Sequence, residues 1–140
     1  EESVAGAVRP RLLFVDDDAL ERRLVQAIFS AVPDIEVELV SAGEEALARA
    51  ARGGIDVVLL DRRLPTMDGL EVLTRLRTLC PAVPVIMLTG DPDVKAAARS
   101  IQLGAYHFLA KPVDRDELVL TVRHALERTA LVRQIDALQR

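Results

Sequence analysis

Three acidic residues stand where short apolar runs stop. RLLFV ends in Asp16 and Asp17, and IDVVLL ends in Asp61. Two further runs stop at groups of complementary chemistry: VPVIML at Thr89, and YHFL just before Lys111 and Pro112. A carboxylate can act as a nucleophile toward phosphorus and form an acyl phosphate. An amine, a hydroxyl donor and a hard divalent cation stabilise the charge on a transferring phosphoryl group. Three carboxylates held together repel one another and raise proton affinity, so a cation belongs among them. Lys111 brings one charge. An all-oxygen, solvent-facing site with few protein ligands suits Mg²⁺ (or Mn²⁺), which keeps several waters, better than zinc.

Other chemistries lack their parts. His107 belongs to an apolar run and His124 to a long helical pattern, so neither is placed for acid-base work, and triad hydrolysis and zinc chemistry go unsupported. No glycine-rich loop leads into Lys and Ser/Thr, so neither ATP nor a dinucleotide is expected as a cofactor. A single Asp after a strand is commonly a helix cap, and Asp18 is read that way. The case for the other five rests on their convergence.

Convergence requires a particular scaffold. Arg11–Val15 reads as a strand, and Leu20, Leu24, Ile28 and Val32 recur every four residues as a helix face up to Pro33. Residues 35–40 (IEVELV) alternate like a half-exposed strand; Ala42–Arg52 is helical and closed by Gly53 and Gly54. The run from Ile55 to Leu60 is nearly all apolar, as in a central strand covered on both faces. Asp68–Leu79 is a helix with Leu70, Leu73, Leu76 and Leu79 at helical spacing. Val83–Leu88 is a strand whose Pro84 must sit near its start. A helix over Asp93–Leu103 and a strand over Tyr106–Leu109 follow, and Asp114 caps a last helix reaching about Leu138. Strand-helix alternation with short connections specifies a doubly wound parallel sheet, here five strands flanked by five helices. Loops after parallel strands gather on one rim, where ligands bind. Asp16, Asp17, Asp61, Thr89 and Lys111 all fall on that rim.

Bulk properties set bounds. At 140 residues, half of them hydrophobic and 29% charged, the chain forms one domain with a real core. The net charge of -4 argues against direct nucleic-acid binding. A single cysteine, Cys80, excludes an internal disulfide and suits a cytoplasmic setting. No stretch approaches the ~20 apolar residues of a membrane span. The chain starts at Glu1 rather than Met, so the lack of a signal peptide says little about a longer parent.

These residues resemble the receiver domain of bacterial two-component response regulators. The matching segments are LLFVDDD, VVLLDRRLPTMDG with Asp61, Pro65 and Gly69, VIMLTG with Thr89, and FLAKP with Lys111 and Pro112. They run from about Arg11 to Ala125. The resemblance implies a flavodoxin-like sheet of strand order 2-1-3-4-5 and phosphorylation of Asp61 by a histidine kinase or histidine phosphotransfer protein. It implies Asp17, Asp61 and the Arg63 backbone carbonyl as direct ligands of the cation, with Asp16 assisting. Thr89 and Lys111 would contact the phosphoryl group, Thr89 and Phe108 would form the switch, and the Lys111–Pro112 peptide would be cis. Tyr106 is not the switch residue. Arg62 and Arg63 are either loop charge or functional; the resemblance makes Arg63 and Asp91 the residues that tune dephosphorylation. No catalysis is expected beyond self-phosphorylation from a small donor and slow autodephosphorylation.

Residues 1–10 read as a flexible lead-in, 11–127 as the receiver, and 128–140 as an extension of the last helix. Leu118, Val122 and Ala125 can pack on the sheet, whereas Leu131, Ile135 and Leu138 form an apolar stripe. That stripe is either a frayed tail or a helix that pairs with its twin, giving a homodimer, and leads to an output domain absent from this sequence. Two other functions compete with this one. A receiver-like interaction module would not need the acidic set, and an aspartate-nucleophile phosphatase would carry a second Asp where Arg63 stands.

Overall fold

The computed structural model describes residues 9–90 and 94–139. Residues 1–8 of the expected lead-in, Asp91, and the expected helix start at Asp93 lie outside the described residues. The elements are β1 (Arg11–Val15), α1 (Ala19–Ser30), β2 (Glu36–Val40), α2 (Gly43–Ala51), β3 (Val57–Asp61), α3 (Gly69–Leu79), β4 (Val85–Thr89), α4 (Val94–Gln102), β5 (His107–Ala110) and α5 (Arg115–Leu138). The strands pair in parallel in the order β2-β1-β3-β4-β5. This is the doubly wound arrangement expected, with its strand order reversing beside β1.

The three middle strands are buried throughout β3 and β4 and nearly so in β1. Side chains alternate across a strand. Leu12, Phe14, Leu59, Ile86 and Leu88 therefore face α1 and α5, while Leu13, Val15, Val58, Leu60 and Met87 face α2 and α3. Each fully buried aliphatic or aromatic side chain contributes roughly 1.5–3 kcal/mol. Pro84 lies just ahead of β4, where its carbonyl accepts from the Val58 amide at 3.0 Å and its missing N–H is not needed.

The inward face of α1 differs from the expected one. Val25, Ile28 and Phe29 are buried, whereas Leu20 is 70% and Leu24 43% exposed. A strict four-residue repeat drifts by about 40° per step around a helix of ~3.6 residues per turn, so four such positions cannot share one face. Val32 is buried, but beyond the helix end. A three-residue repeat drifts by about 60° per step in the opposite sense, which leaves Leu79 exposed at the end of α3, and Val72 fills the core beside Leu73 and Leu76.

At α5, Leu118, Val122 and Ala125 pack on the sheet as expected. The docking continues further. Thr129 is buried and its hydroxyl donates to the Asp56 carbonyl at 2.9 Å. Arg133 pairs with the Asp56 carboxylate and donates to the Ile55 carbonyl. The boundary expected at residue 127 thus falls inside the docked part of the helix. Leu131, Ile135 and Leu138 remain exposed.

Candidate functional site

The strand register brings the chemistry together. Val15 pairs with Leu60, so Asp16 and Asp61 come next to each other at the carboxyl ends of β1 and β3. Asp61 lies opposite Leu88, leaving Thr89 one residue further along β4. Thr89 lies opposite Ala110, and Lys111 follows directly. The Lys111 amide donates to the Thr89 carbonyl at 2.7 Å, and the Lys111–Pro112 peptide is cis.

One carboxylate oxygen from each of Asp16, Asp17 and Asp61 lies within 4.8 Å of the others. Lys111 Nζ stands 3.2 Å from Asp16 Oδ2 and 3.4 Å from Asp61 Oδ1. An open cavity of about 640 Å³ is lined by these four residues with Asp18, Arg63 and Gly90. Asp16 and Asp61 are buried, and Asp17 faces solvent. Burial and then the neighbouring Asp16 charge push the Asp61 carboxyl up to about 6, against the opposing pull of Lys111 and the Arg63 amide. Burial works to lower the Lys111 ammonium, but the charges of Asp61 and Asp16 outweigh it and leave Lys111 raised. All-oxygen donors, an excess of negative charge and an open side where waters can remain fit Mg²⁺ or Mn²⁺. Asp16, Asp17 and Asp61 each offer one carboxylate oxygen toward such an ion.

Local structure explains the placement. Asp18 caps α1, its Oδ1 accepting from the Leu20 amide at 2.9 Å, and its own amide donates to Asp16 Oδ1 at 2.9 Å. Asp18 therefore both caps and lines the cavity. After β3 the chain turns back so sharply that the Gly69 amide donates to the Arg62 carbonyl at 2.9 Å. A Cβ on Gly69 would lie 2.6 Å from the carbonyl oxygens of Asp61 and Arg62, so only glycine fits behind the acidic loop. Thr66 donates to the Glu44 carboxylate at 2.9 Å, tying that loop to α2.

Thr89 is buried, and Phe108 packs partly buried beside Met87, its partner across the β4–β5 pair. Thr89 and Met87 share a face of β4, so Thr89 and Phe108 lie on the same side of the sheet. Asp91 lies outside the described residues. His107 and His124 stand apart from the acidic set, lining a separate depression between β5 and α5. Sequence reasoning missed Arg22, which reaches from α1 to the Asp16 carbonyl at 2.7 Å. Its signal was faint: one arginine among several, about one turn after the acidic triplet.

Comparisons with known proteins agree with this geometry. Residues 12–123 match the family model described as response regulator receiver domain. Regulatory protein AtoC of Escherichia coli (strain K12) is 36% identical over 125 residues, which is 89% of this chain and 27% of that protein. The C4-dicarboxylate transport transcriptional regulatory protein DctD of Rhizobium meliloti (strain 1021) is 35% identical over 131 residues, 94% of this chain and 28% of that protein. The chain thus spans little more than a quarter of the length of these relatives. The signal receiver domain of an HD domain-containing protein from Pseudomonas fluorescens Pf-5 superposes with a TM-score of 0.85 at 35% identity, covering 91% of this chain and 94% of that one. The signal receiver domain of a LuxO repressor protein from Vibrio parahaemolyticus gives 0.85 at 31% identity, covering 91% and 97%.

Proposed function

This chain belongs to the response regulator receiver domain family, and we propose from that premise that Asp61 is its phosphoryl acceptor and Asp16, Asp17, Arg63, Thr89 and Lys111 the groups that serve the transfer. The donor is a phosphohistidine of a histidine kinase or phosphotransfer protein. An Asp61 carboxylate oxygen forms the new O–P bond as the P–N bond breaks, and the departing imidazole keeps the electron pair and takes up a proton. The product is an acyl phosphate.

The observation that carries this reading is the meeting of Asp61 with Asp16, Asp17 and Lys111, donor and acceptor groups drawn from separate loops. Lys111 pairs with a phosphoryl oxygen without travelling far, because it already stands 3.4 Å from the acceptor. A bound Mg²⁺ or Mn²⁺ supplies positive charge that offsets the carboxylates and the phosphoryl oxygens. Asp17, Asp61 and the Arg63 carbonyl would hold it. The Thr89 hydroxyl donates to a phosphoryl oxygen, and Phe108, on the same side of the sheet, repacks as Thr89 shifts. Arg63 lines the cavity, which supports its role in governing water access and hence dephosphorylation.

The domain acts as a signalling switch rather than a turnover enzyme, and its partner is an output module. No helix is long and apolar enough to cross a membrane among the described residues; the proposed histidine-kinase donor and the single cysteine, Cys80, support action in the cytoplasm. The exposed stripe of Leu131, Ile135 and Leu138 supports pairing of last helices in a homodimer; the mass in solution, with and without a phosphoryl donor, tests that pairing. To test the acceptor, the chain is incubated with Mg²⁺ and a small phosphoryl donor and weighed intact. A gain of one phosphoryl group by the native chain, absent in Asp61→Asn, is expected. Equal gains in both would move the acceptor elsewhere, and no gain in either would favour an interaction module.

A further inference from the structure

Asp17 is the exposed member of the acidic set, and among the described residues no hydrogen bond or ion pair holds its carboxylate. Its direction depends on the backbone beneath it. That backbone is held through Asp16, which is fully buried. The Asp16 amide donates to the Val40 carbonyl at 3.1 Å. Its Oδ1 accepts from the Asp18 amide and its Oδ2 from Lys111. The remaining polar atom, the Asp16 carbonyl, belongs to the peptide that joins Asp16 to Asp17. It accepts from Arg22 Nη1 at 2.7 Å, the shortest of these contacts.

We infer that Arg22 is a positioning residue for the divalent cation: it fixes the Asp16–Asp17 peptide plane and thereby aims the Asp17 carboxylate. The inference rests on the reading that this acidic set holds a cation. Simple electrostatics points the other way. A guanidinium beside a cation site repels a dication, so removing it would tighten binding if charge alone mattered. A peptide plane freed to rotate would instead loosen the ligand. Groups that orient metal ligands typically change affinity by about 10–100-fold, and an effect of roughly tenfold is expected here because Asp61 stays in place. The two accounts differ in sign.

The test titrates Mn²⁺ into the whole chain and into Arg22→Ala and Arg22→Lys, reading free Mn²⁺ by its paramagnetic resonance signal. Arg22→Ala is expected to bind roughly tenfold more weakly, and Arg22→Lys, which keeps a donor, to recover most of the affinity. Unfolding without metal checks that each variant is folded. Phosphorylation from a small donor supplies a second readout. The Mg²⁺ concentration for half-maximal rate should rise in Arg22→Ala while the rate at saturating Mg²⁺ returns to the native value. Unchanged or tighter Mn²⁺ binding by Arg22→Ala overturns the inference, as does Arg22→Lys no better than Arg22→Ala. Native chain that binds Mn²⁺ but takes up no phosphoryl group removes the proposed function and leaves the Arg22 result standing. Native chain that binds no Mn²⁺ overturns both.

Discussion

Replacing Asp61 with Asn should stabilise the metal-free chain at neutral pH. Asp61 titrates near 6 in the folded chain against an ordinary value of 3.8, because burial and the Asp16 charge disfavour its ionised form. An acid with a raised folded-state pKa holds its proton more tightly folded than unfolded. Its ionisation therefore lowers stability as pH rises from 3.8 to about 6, and the full loss applies above that window. A rise of that size corresponds to about 3 kcal/mol. The attraction of Lys111 is already contained in that net rise. Asn keeps the shape and never ionises, so the variant should match the native chain near pH ~4 and exceed it by up to about 3 kcal/mol above pH ~7, or roughly 10 °C in Tm for a domain of this size. Urea and thermal unfolding in chelator at both pH values measure this. Saturating Mg²⁺ should then stabilise the native chain more than Asp61→Asn, since the variant has lost a ligand. A variant less stable than the native chain at neutral pH, or an equal difference at both pH values, would refute the view of Asp61 as a carboxylate held at a cost.

Gly69→Ala should destabilise by about 2–3 kcal/mol in urea, because its Cβ would overlap backbone oxygens rather than a mobile side chain. It should also slow phosphoryl uptake by displacing the Asp61–Arg63 loop. Arg63→Ala should change the half-life of the acyl phosphate, followed by intact mass after the donor is removed; an unchanged half-life would assign the tuning elsewhere. On α1, Val25→Ala should cost about 1–3 kcal/mol, whereas Leu24→Ala should stay within about 1 kcal/mol, since Val25 is fully buried and Leu24 is partly exposed.

The parallel sheet covered by helices was legible because alternation, short connections and all-apolar runs leave few architectures open; its strand order, 2-1-3-4-5, followed from the resemblance to the receiver family and not from the pattern. Asp61, Asp16 and Thr89 could be placed on one rim for the same reason: each ends an apolar run, and parallel strands end together. What escaped the sequence depended on angle. Leu20 and Leu24 looked like core because spacing by four resembles a helix face, but only the sheet beneath α1 selects Val25, Ile28 and Phe29. Arg22 and Arg133 escaped because arginine on a helix reads as solvated charge. Their targets, the Asp16 carbonyl and the Asp56 carboxylate, are set by tertiary approach rather than by local pattern. Gly69 stood in a recognisable motif, yet its reason, backbone packed against the Asp61 and Arg62 carbonyls, arises only from the tertiary turn.

The Asp56 clamp has a consequence for angular phase. Asp56 precedes β3, whose other end carries Asp61. Its carboxylate accepts from the Arg11 amide and pairs with Arg133 of α5, so one residue joins the base of the central strand to the last helix. Helix α5 is 24 residues long without a break, about 36 Å at ~1.5 Å per residue. With Arg133 pinned, the face presented by Ile135 and Leu138 is locked in azimuth relative to Asp61. Each residue inserted after Arg133 would turn whatever is joined to the helix tip by about 100°. If an output module is joined to this helix, as proposed, adding one residue should disturb its coupling to phosphorylation of Asp61, and adding seven, close to two full turns, should largely restore it.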